Sequence, residues 1–130
     1  MLAETQTQNI HKSIEGVTFA FIHAEATQAA KAAVARMLED WRAKTGGNEY
    51  GEPMYCGFAW VEVYDVRSNS KMGKAMQAQG FRKGYRGGLE LWDPAQHRGQ
   101  SMDCKEVGAQ AYADVLRGYG LKAYMGSRAD

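Results

Sequence analysis

The spacing of apolar positions predicts a long amphipathic helix in the first third of the chain. From Phe19 to Trp41, apolar residues recur at steps of three and four, which places them on one face of a helix. Residues 17–22 are rich in β-branched and aromatic side chains, so a short strand is the alternative there. The unbroken helical phase favours one helix over 18–45, ended by a pair of glycines. Residues 1–12 are polar and aperiodic, and we expect them to be frayed.

A strict alternation of side chains then predicts a strand over residues 55–65. Phe58, Trp60, Glu62 and Tyr64 fall on one face, and small or β-branched residues fall on the other. Both faces are apolar near the start of this segment, which is typical of a central strand. We therefore expect Trp60 and the neighbouring Cys56 to be buried in the core.

Four further elements complete the predicted order. Capping residues and glycines bound them, and Glu106 would form a capping box with Asp103. In chain order they are a helix over about 70–79 with its N-cap among residues 68–70, a strand at 89–92, a helix opened by Asp103 and a strand at 121–127.

These elements predict an α+β fold in a single domain spanning residues 1–130. An N-terminal amphipathic helix precedes a β-α-β-α-β unit over 55–127, and the simplest packing is a small sheet with helices on one face. The strand order is not determined by the sequence, and the strand–helix–strand connections leave parallel pairing open.

Composition narrows the class of protein. A length of 130 residues suits one domain, and 45% hydrophobic residues exclude a disordered chain. Sixteen basic and fifteen acidic residues give a net charge of +1, which argues against a globally basic nucleic-acid protein. No apolar run is long enough for a membrane span, and the start of the chain lacks the order of a signal peptide. Two cysteines are too few for a disulfide framework and fit a reducing compartment, so we expect a cytoplasmic protein. Because no membrane span is predicted, we also expect no membrane partner.

Charge is distributed unevenly within this near-neutral chain. Residues 1–66 carry 5 basic and 9 acidic side chains, whereas residues 67–130 carry 11 basic and 6 acidic ones. The stretch 67–86 holds six basic residues and no acidic residue. Such a segment predicts a surface that faces an anion, with a merely solvated helix face and loop as the alternative.

Loops at the ends of the predicted elements supply the candidate ligand site. Arginines there favour phosphate, the amides at a helix N-terminus favour an anion, and Tyr85 or Trp92 could stack on a base. The alternative is that these two rings only cover the edge of the core. The candidate ligand-binding residues are Arg82, Lys83, Tyr85, Arg86, Arg98, Gln100, Ser101 and Arg128.

Motifs for catalysis, cofactors or metals are weak. The glycine-rich stretches do not match phosphate-loop or dinucleotide patterns, so we expect no cofactor. No histidine has another histidine or a cysteine at ligand spacing, so we expect no metal site. His97 and Cys104, seven residues apart at a predicted helix start, leave a cysteine nucleophile open. Glu90 and Asp93 leave a carboxylate pair open. No catalytic residue is assigned.

Several segments resemble a family of small uncharacterised proteins from tailed phages and prophages. The resemblance covers about residues 55–130 and is carried by CGFAW at 56–60, Tyr85 with Gly87-Gly88, Gly99-Gln100-Ser101, and KEVGAQAYADVLRGYGLKAYMGSRAD at 105–130. It implies an accessory protein acting in the host bacterial cytoplasm. Small phage proteins of that kind bind nucleic acid, host enzymes or the nucleotide signals of host defence. The resemblance assigns no catalytic residue.

Three functions remain open from the sequence. The first is a non-catalytic accessory protein that binds a nucleotide or nucleic acid through its arginine-rich loops, with counteraction of host defence as its biological role. The second is a protein-interaction module that inhibits a host protein. The third is a small hydrolase or transferase that depends on a cysteine or on carboxylates. A host protein and a second copy of the chain, in a homo-oligomer, also remain open as partners.

Overall fold

A computed structural model describes residues 17–130 of the protein. The segment 1–12, expected to be frayed, lies outside the described residues. Within the described part, the helices are α1 (Val17–Thr45), α2 (Lys71–Ala78) and α3 (Met102–Gly118), and the strands are β1 (Gly57–Val63), β2 (Arg82–Lys83), β3 (Leu89–Trp92) and β4 (Ala123–Ala129). The predicted α+β class and the N-terminal helix are confirmed, and residues 17–22 are helical rather than extended.

The four strands form one antiparallel sheet in the order β2-β3-β1-β4. The predicted central strand is confirmed, because β1 lies between β3 and β4. Parallel pairing, which the sequence left open, does not occur in this sheet. The physical cause of the antiparallel pairing between β1 and β3 is β2, a segment that was expected to be loop. Arg82 and Lys83 form a tight hairpin with β3, and that extra reversal brings β3 back antiparallel to β1.

The helices cover one face of the sheet, as predicted. Helix α3 packs directly on β1 and β4, and α1 packs across α3. Tyr112 and Leu116 of α3 are fully buried between these layers. Gly108 lets the helices approach closely, since a Cβ there would lie 2.7 Å from the side chain of Ala95 and 3.2 Å from that of Val34.

Helix α3 begins two residues earlier than the sequence predicted. Its N-cap is Ser101, whose Oγ accepts a hydrogen bond from the Cys104 amide at 3.4 Å. Asp103 lies in the first turn instead, where its charge favours the helix dipole. The cause is a tertiary contact, because Ser101 is buried and forms a β-bridge with Cys56. Helix α2 has its N-cap at Ser70, within the predicted range.

Two expectations about burial were wrong. Trp60 is half-buried, because its side of β1 carries no helix layer. Cys56 is exposed, because it precedes β1 and contributes only a bridge to the sheet.

We expect Ser101→Ala to lower the free energy of unfolding by about 1 kcal/mol through loss of the cap. Asp103→Ala, the matched control in the same turn, should cost less than about half of that, because only a dipole interaction is lost. Urea denaturation of both variants checks the assignment. A larger loss for Asp103→Ala would mean that the helix begins where the sequence suggested.

A histidine of α1 is tied to the core by a hydrogen bond. Nδ1 of His23 and the hydroxyl of Tyr112 are 2.7 Å apart, and Tyr112 is fully buried. Burial lowers the pKa of His23 below its ordinary value of 6.5. The folded protein therefore takes up a proton at His23 less readily than the unfolded chain does.

Stability should accordingly fall as the pH drops through 6.5 towards the lower pKa of His23 in the fold. Urea denaturation at about pH 8 and about pH 5.5 would measure this loss on either side of the ordinary histidine range. His23→Gln should reduce the difference between the two conditions. An unchanged difference in that variant would place the pH dependence elsewhere.

Candidate functional site

The sheet face opposite the helices carries aromatic and charged side chains. Alternate residues of each strand point to it, and cross-strand register sets them side by side. Trp60 lies opposite Trp92, Glu62 opposite Glu90, and Phe58 opposite Arg128. We call this surface the open face; it comprises Phe58, Trp60, Glu62, Tyr64, Arg82, Glu90, Trp92, Tyr124 and Arg128.

Two stacked tryptophans form the centre of the open face. The rings of Trp60 and Trp92 have centroids 4.6 Å apart and planes 19° from parallel. Trp60 lies against the backbone of Gly126, where a Cβ would be 2.6 Å from the indole nitrogen. Glycine at this position therefore makes room for the Trp60 ring, while Trp92 stays 45% exposed.

Both carboxylates of the open face hold aromatic side chains in place. The indole nitrogen of Trp60 donates to Oε1 of Glu62 at 2.7 Å, and the Tyr64 hydroxyl donates to Oε2 of Glu62. That second bond raises the pKa of Tyr64. The indole nitrogen of Trp92 donates to Oε1 of Glu90 at 3.2 Å. The polar edges of the indoles are thus occupied within the protein, and the exposed part of the Trp92 ring remains for a ligand.

Trp92 separates two shallow depressions of about 440 Å³ each. Arg82 and Lys83 border the depression on the β2 side. Arg86 and Arg128 border the other, together with Tyr85, whose side chain is 100% exposed. The guanidinium of Arg128 also lies 5.6 Å from the ring centre of Phe58. Five of the eight predicted ligand-binding residues therefore surround Trp92, a ring that was expected either to stack on a base or to cover the edge of the core.

The other three predicted residues lie in the loop before α3. Arg98 is exposed there, whereas the backbone amides of Gln100 and Ser101 both donate to Oε2 of Glu52, at 2.8 and 2.9 Å. The backbone amides that were expected to bind a phosphate therefore bind a carboxylate of the protein itself. Glu52 lies 48 residues before Gln100, so no local sequence pattern predicts this contact.

Glu52 also belongs to a compact group with His97 and Cys104, which we call the Glu52 cluster. One donor atom from each residue lies within 4.8 Å of the others, and Nε2 of His97 is 2.6 Å from Oε1 of Glu52. Burial alone would raise the pKa of Glu52, but the hydrogen bonds from His97, Ser101 and Gln100 outweigh it and hold the pKa below its usual value.

The thiol of Cys104 is unsuited to attack a substrate. Its side chain is fully buried, and Sγ donates to the sulfur of Met37 at 3.7 Å. Burial raises the pKa of this thiol above its ordinary value. A nucleophilic cysteine needs a thiolate that a substrate can reach. The structure brings His97 and Cys104 together, but with the thiol fully buried.

Comparison with known proteins adds no assignment. No protein-family model matches the chain, and neither do any curated protein or solved structure. Among residues 17–130, no helix combines the length and the apolar character that crossing a membrane requires. The phage family suggested by the segments within 55–130 stays a prediction.

The two cysteines should differ sharply in reactivity. In the native protein, a thiol reagent such as dithionitrobenzoate should modify Cys56 rapidly and Cys104 only after denaturant is added, because Cys104 is fully buried. Counting released chromophore before and after denaturation measures this. Cys56→Ser should abolish the rapid phase, and rapid reaction of both thiols would mean that Cys104 is accessible.

Proposed function

We propose that the open face binds a nucleotide unit, a base with its phosphate, without catalysing a reaction on it. The observation that carries the proposal is the exposed ring of Trp92 between two depressions, each bordered by a pair of cationic side chains. A base stacks on an aromatic ring whatever its sequence, and an arginine binds phosphate through charge-assisted hydrogen bonds. The unit is either a free nucleotide or part of a single strand.

Charge on the open face favours such a ligand over a duplex. Three arginines, at positions 82, 86 and 128, lie at the margins, whereas Glu62 and Glu90 occupy the centre. A duplex would lay a continuous row of phosphates across these carboxylates, and its binding needs a long basic stripe. A stacked base instead places its ring over the centre and its phosphate at the margin.

The central carboxylates also suggest a preference among bases. Glu90 borders both depressions, and a carboxylate oxygen accepts hydrogen bonds from amino groups. Adenine, cytosine and guanine carry an exocyclic amino group and uracil does not, so uracil should bind least tightly. In the setting implied by the phage resemblance, the ligand would be a nucleotide signal or a single strand of the host.

The protein-interaction alternative would use the same surface. Exposed tryptophan, tyrosine and arginine are the residue types that dominate binding energy at protein interfaces. Trp92 and the fully exposed Tyr85 would then be anchors for a partner protein. The two functions differ in whether nucleotides and oligonucleotides alone bind the isolated protein.

We expect the double change Arg86→Ala with Arg128→Ala to weaken binding at least about tenfold, because each charge-assisted contact contributes about 1.5–3 kcal/mol. Trp92→Ala should remove about 1–3 kcal/mol of stacking. Fluorescence anisotropy with labelled single-stranded homopolymers measures binding of a strand. Calorimetry with mononucleotides measures binding of a free nucleotide, so the two experiments distinguish these ligands. Binding should weaken as salt rises.

The matched control is Lys31→Ala with Arg36→Ala, which removes two exposed charges from α1. It should leave affinity within about twofold, since exposed charges beyond a Debye length act weakly. Equal losses in both double variants would contradict a site on the open face. If no nucleotide or oligonucleotide binds the unchanged protein, the proposal fails and the protein-interaction alternative replaces it.

A further inference from the structure

We propose that the Glu52 cluster is a binding site for a zinc ion, independent of any ligand on the open face. Carboxylate oxygen, imidazole nitrogen and thiolate sulfur are the three donor types that zinc takes from proteins. Here one of each comes from a different part of the chain: Glu52 from the loop between α1 and β1, His97 from the loop before α3, and Cys104 from the first turn of α3.

The geometry is close to that of a zinc site. Donor atoms bound to one tetrahedral zinc lie roughly 3.3–3.8 Å apart, given bond lengths of about 2.0–2.3 Å. The three donor atoms lie within 4.8 Å of one another, and the Glu52–His97 pair at 2.6 Å is closer than that range. Glu52 and His97 are on loops and each side chain is 14% exposed, so a small outward shift admits the ion between them.

The surroundings of Glu52 resemble the outer shell of a metal ligand. Backbone amides of Gln100 and Ser101 hold Oε2, which leaves Oε1 directed towards His97. Gly99 leaves space for this carboxylate, because a Cβ at position 99 would collide with it. Fixed ligand orientation of this kind strengthens metal sites. On the other side, the sulfur of Met37 packs against the thiol of Cys104 and closes the site towards α1.

Charge and proton balance are satisfied. Without metal, burial raises the pKa of the Cys104 thiol and so favours its protonated form, and hydrogen bonds hold the pKa of the Glu52 carboxyl below its usual value. On binding, zinc displaces the thiol proton to solvent, and the ion then faces one thiolate and one carboxylate, so the buried site is neutral. His97 coordinates as the neutral imidazole, and a water molecule completes the coordination. The ion would tie both loops to α3.

The test uses the full chain, freed of metal with a chelator that is then removed. Zinc is titrated in competition with a chromophoric chelator, and cobalt replaces zinc for spectroscopy. We expect one equivalent of zinc to bind and to raise the melting temperature. With cobalt, we expect a thiolate charge-transfer band and the strong visible bands of a tetrahedral site.

Cys104→Ser, His97→Gln and Glu52→Gln should each weaken zinc binding by more than about a hundredfold, because loss of an outer-shell partner alone costs about 10- to 100-fold. Cys56→Ser and His23→Gln are the matched controls and should bind as the unchanged protein does. His97→Gln keeps the test decisive if Cys104→Ser fails to fold, because His97 lies in a partly exposed loop.

The proposal is overturned by any of four results. One is the absence of stoichiometric zinc binding to the unchanged protein. Another is a cobalt complex without the thiolate band. A third is unchanged affinity in folded His97→Gln. The fourth is loss of zinc binding in Cys56→Ser, which would place the ion at the surface. None of these results bears on nucleotide binding by the open face.

Discussion

The packing of α3 between the sheet and α1 determines which surfaces of this protein are available. Fully buried Tyr112 and Leu116 fix α3 in that position, and Gly108 allows the close approach of α1. Because the described helices all lie on one side, the opposite side of β1 is left without a covering layer. Aromatic area on this side is therefore buried by neighbouring rings, as in the stacking of Trp60 on Trp92, and by the strand backbone at Gly126.

The start of α3 shows why the charge of a segment alone does not predict where an external ligand binds. The loop before this helix has the arginine, the amides and the dipole that an anion requires, and it does hold an anion. That anion is the carboxylate of Glu52. An internal carboxylate is present at fixed geometry in every molecule, so an external phosphate would have to displace it. In the described part of the chain, the hydrogen bonds that Glu62 and Glu90 accept come from aromatic side chains and not from the cationic residues around Trp92.

Local patterns in the sequence predicted much of the fold. The long helix, the central strand and the Ser70 cap follow from periodicity and capping within a few residues, and the structure has all three. What failed depended on distant partners. The N-cap at Ser101 follows from its bridge to Cys56, and the Glu52 cluster joins Glu52 to two residues that lie 45 or more positions later in the chain. Trp60 was misplaced for another reason: apolar residues on both faces of a strand predict two covered faces, but here one face is aromatic and open.

Hydrogen bonds from the indoles to Glu62 and Glu90 bear directly on what the open face can bind. They fix both rings before any ligand arrives, so a stacking base would not have to order them, and this lowers the entropic cost of binding. The same carboxylates repel phosphate from the centre of the face. The ligand proposed for this face therefore combines a flat, uncharged ring with negative charge at its margin. A nucleotide unit has that shape and charge, whereas a fused apolar ring system lacks the charge.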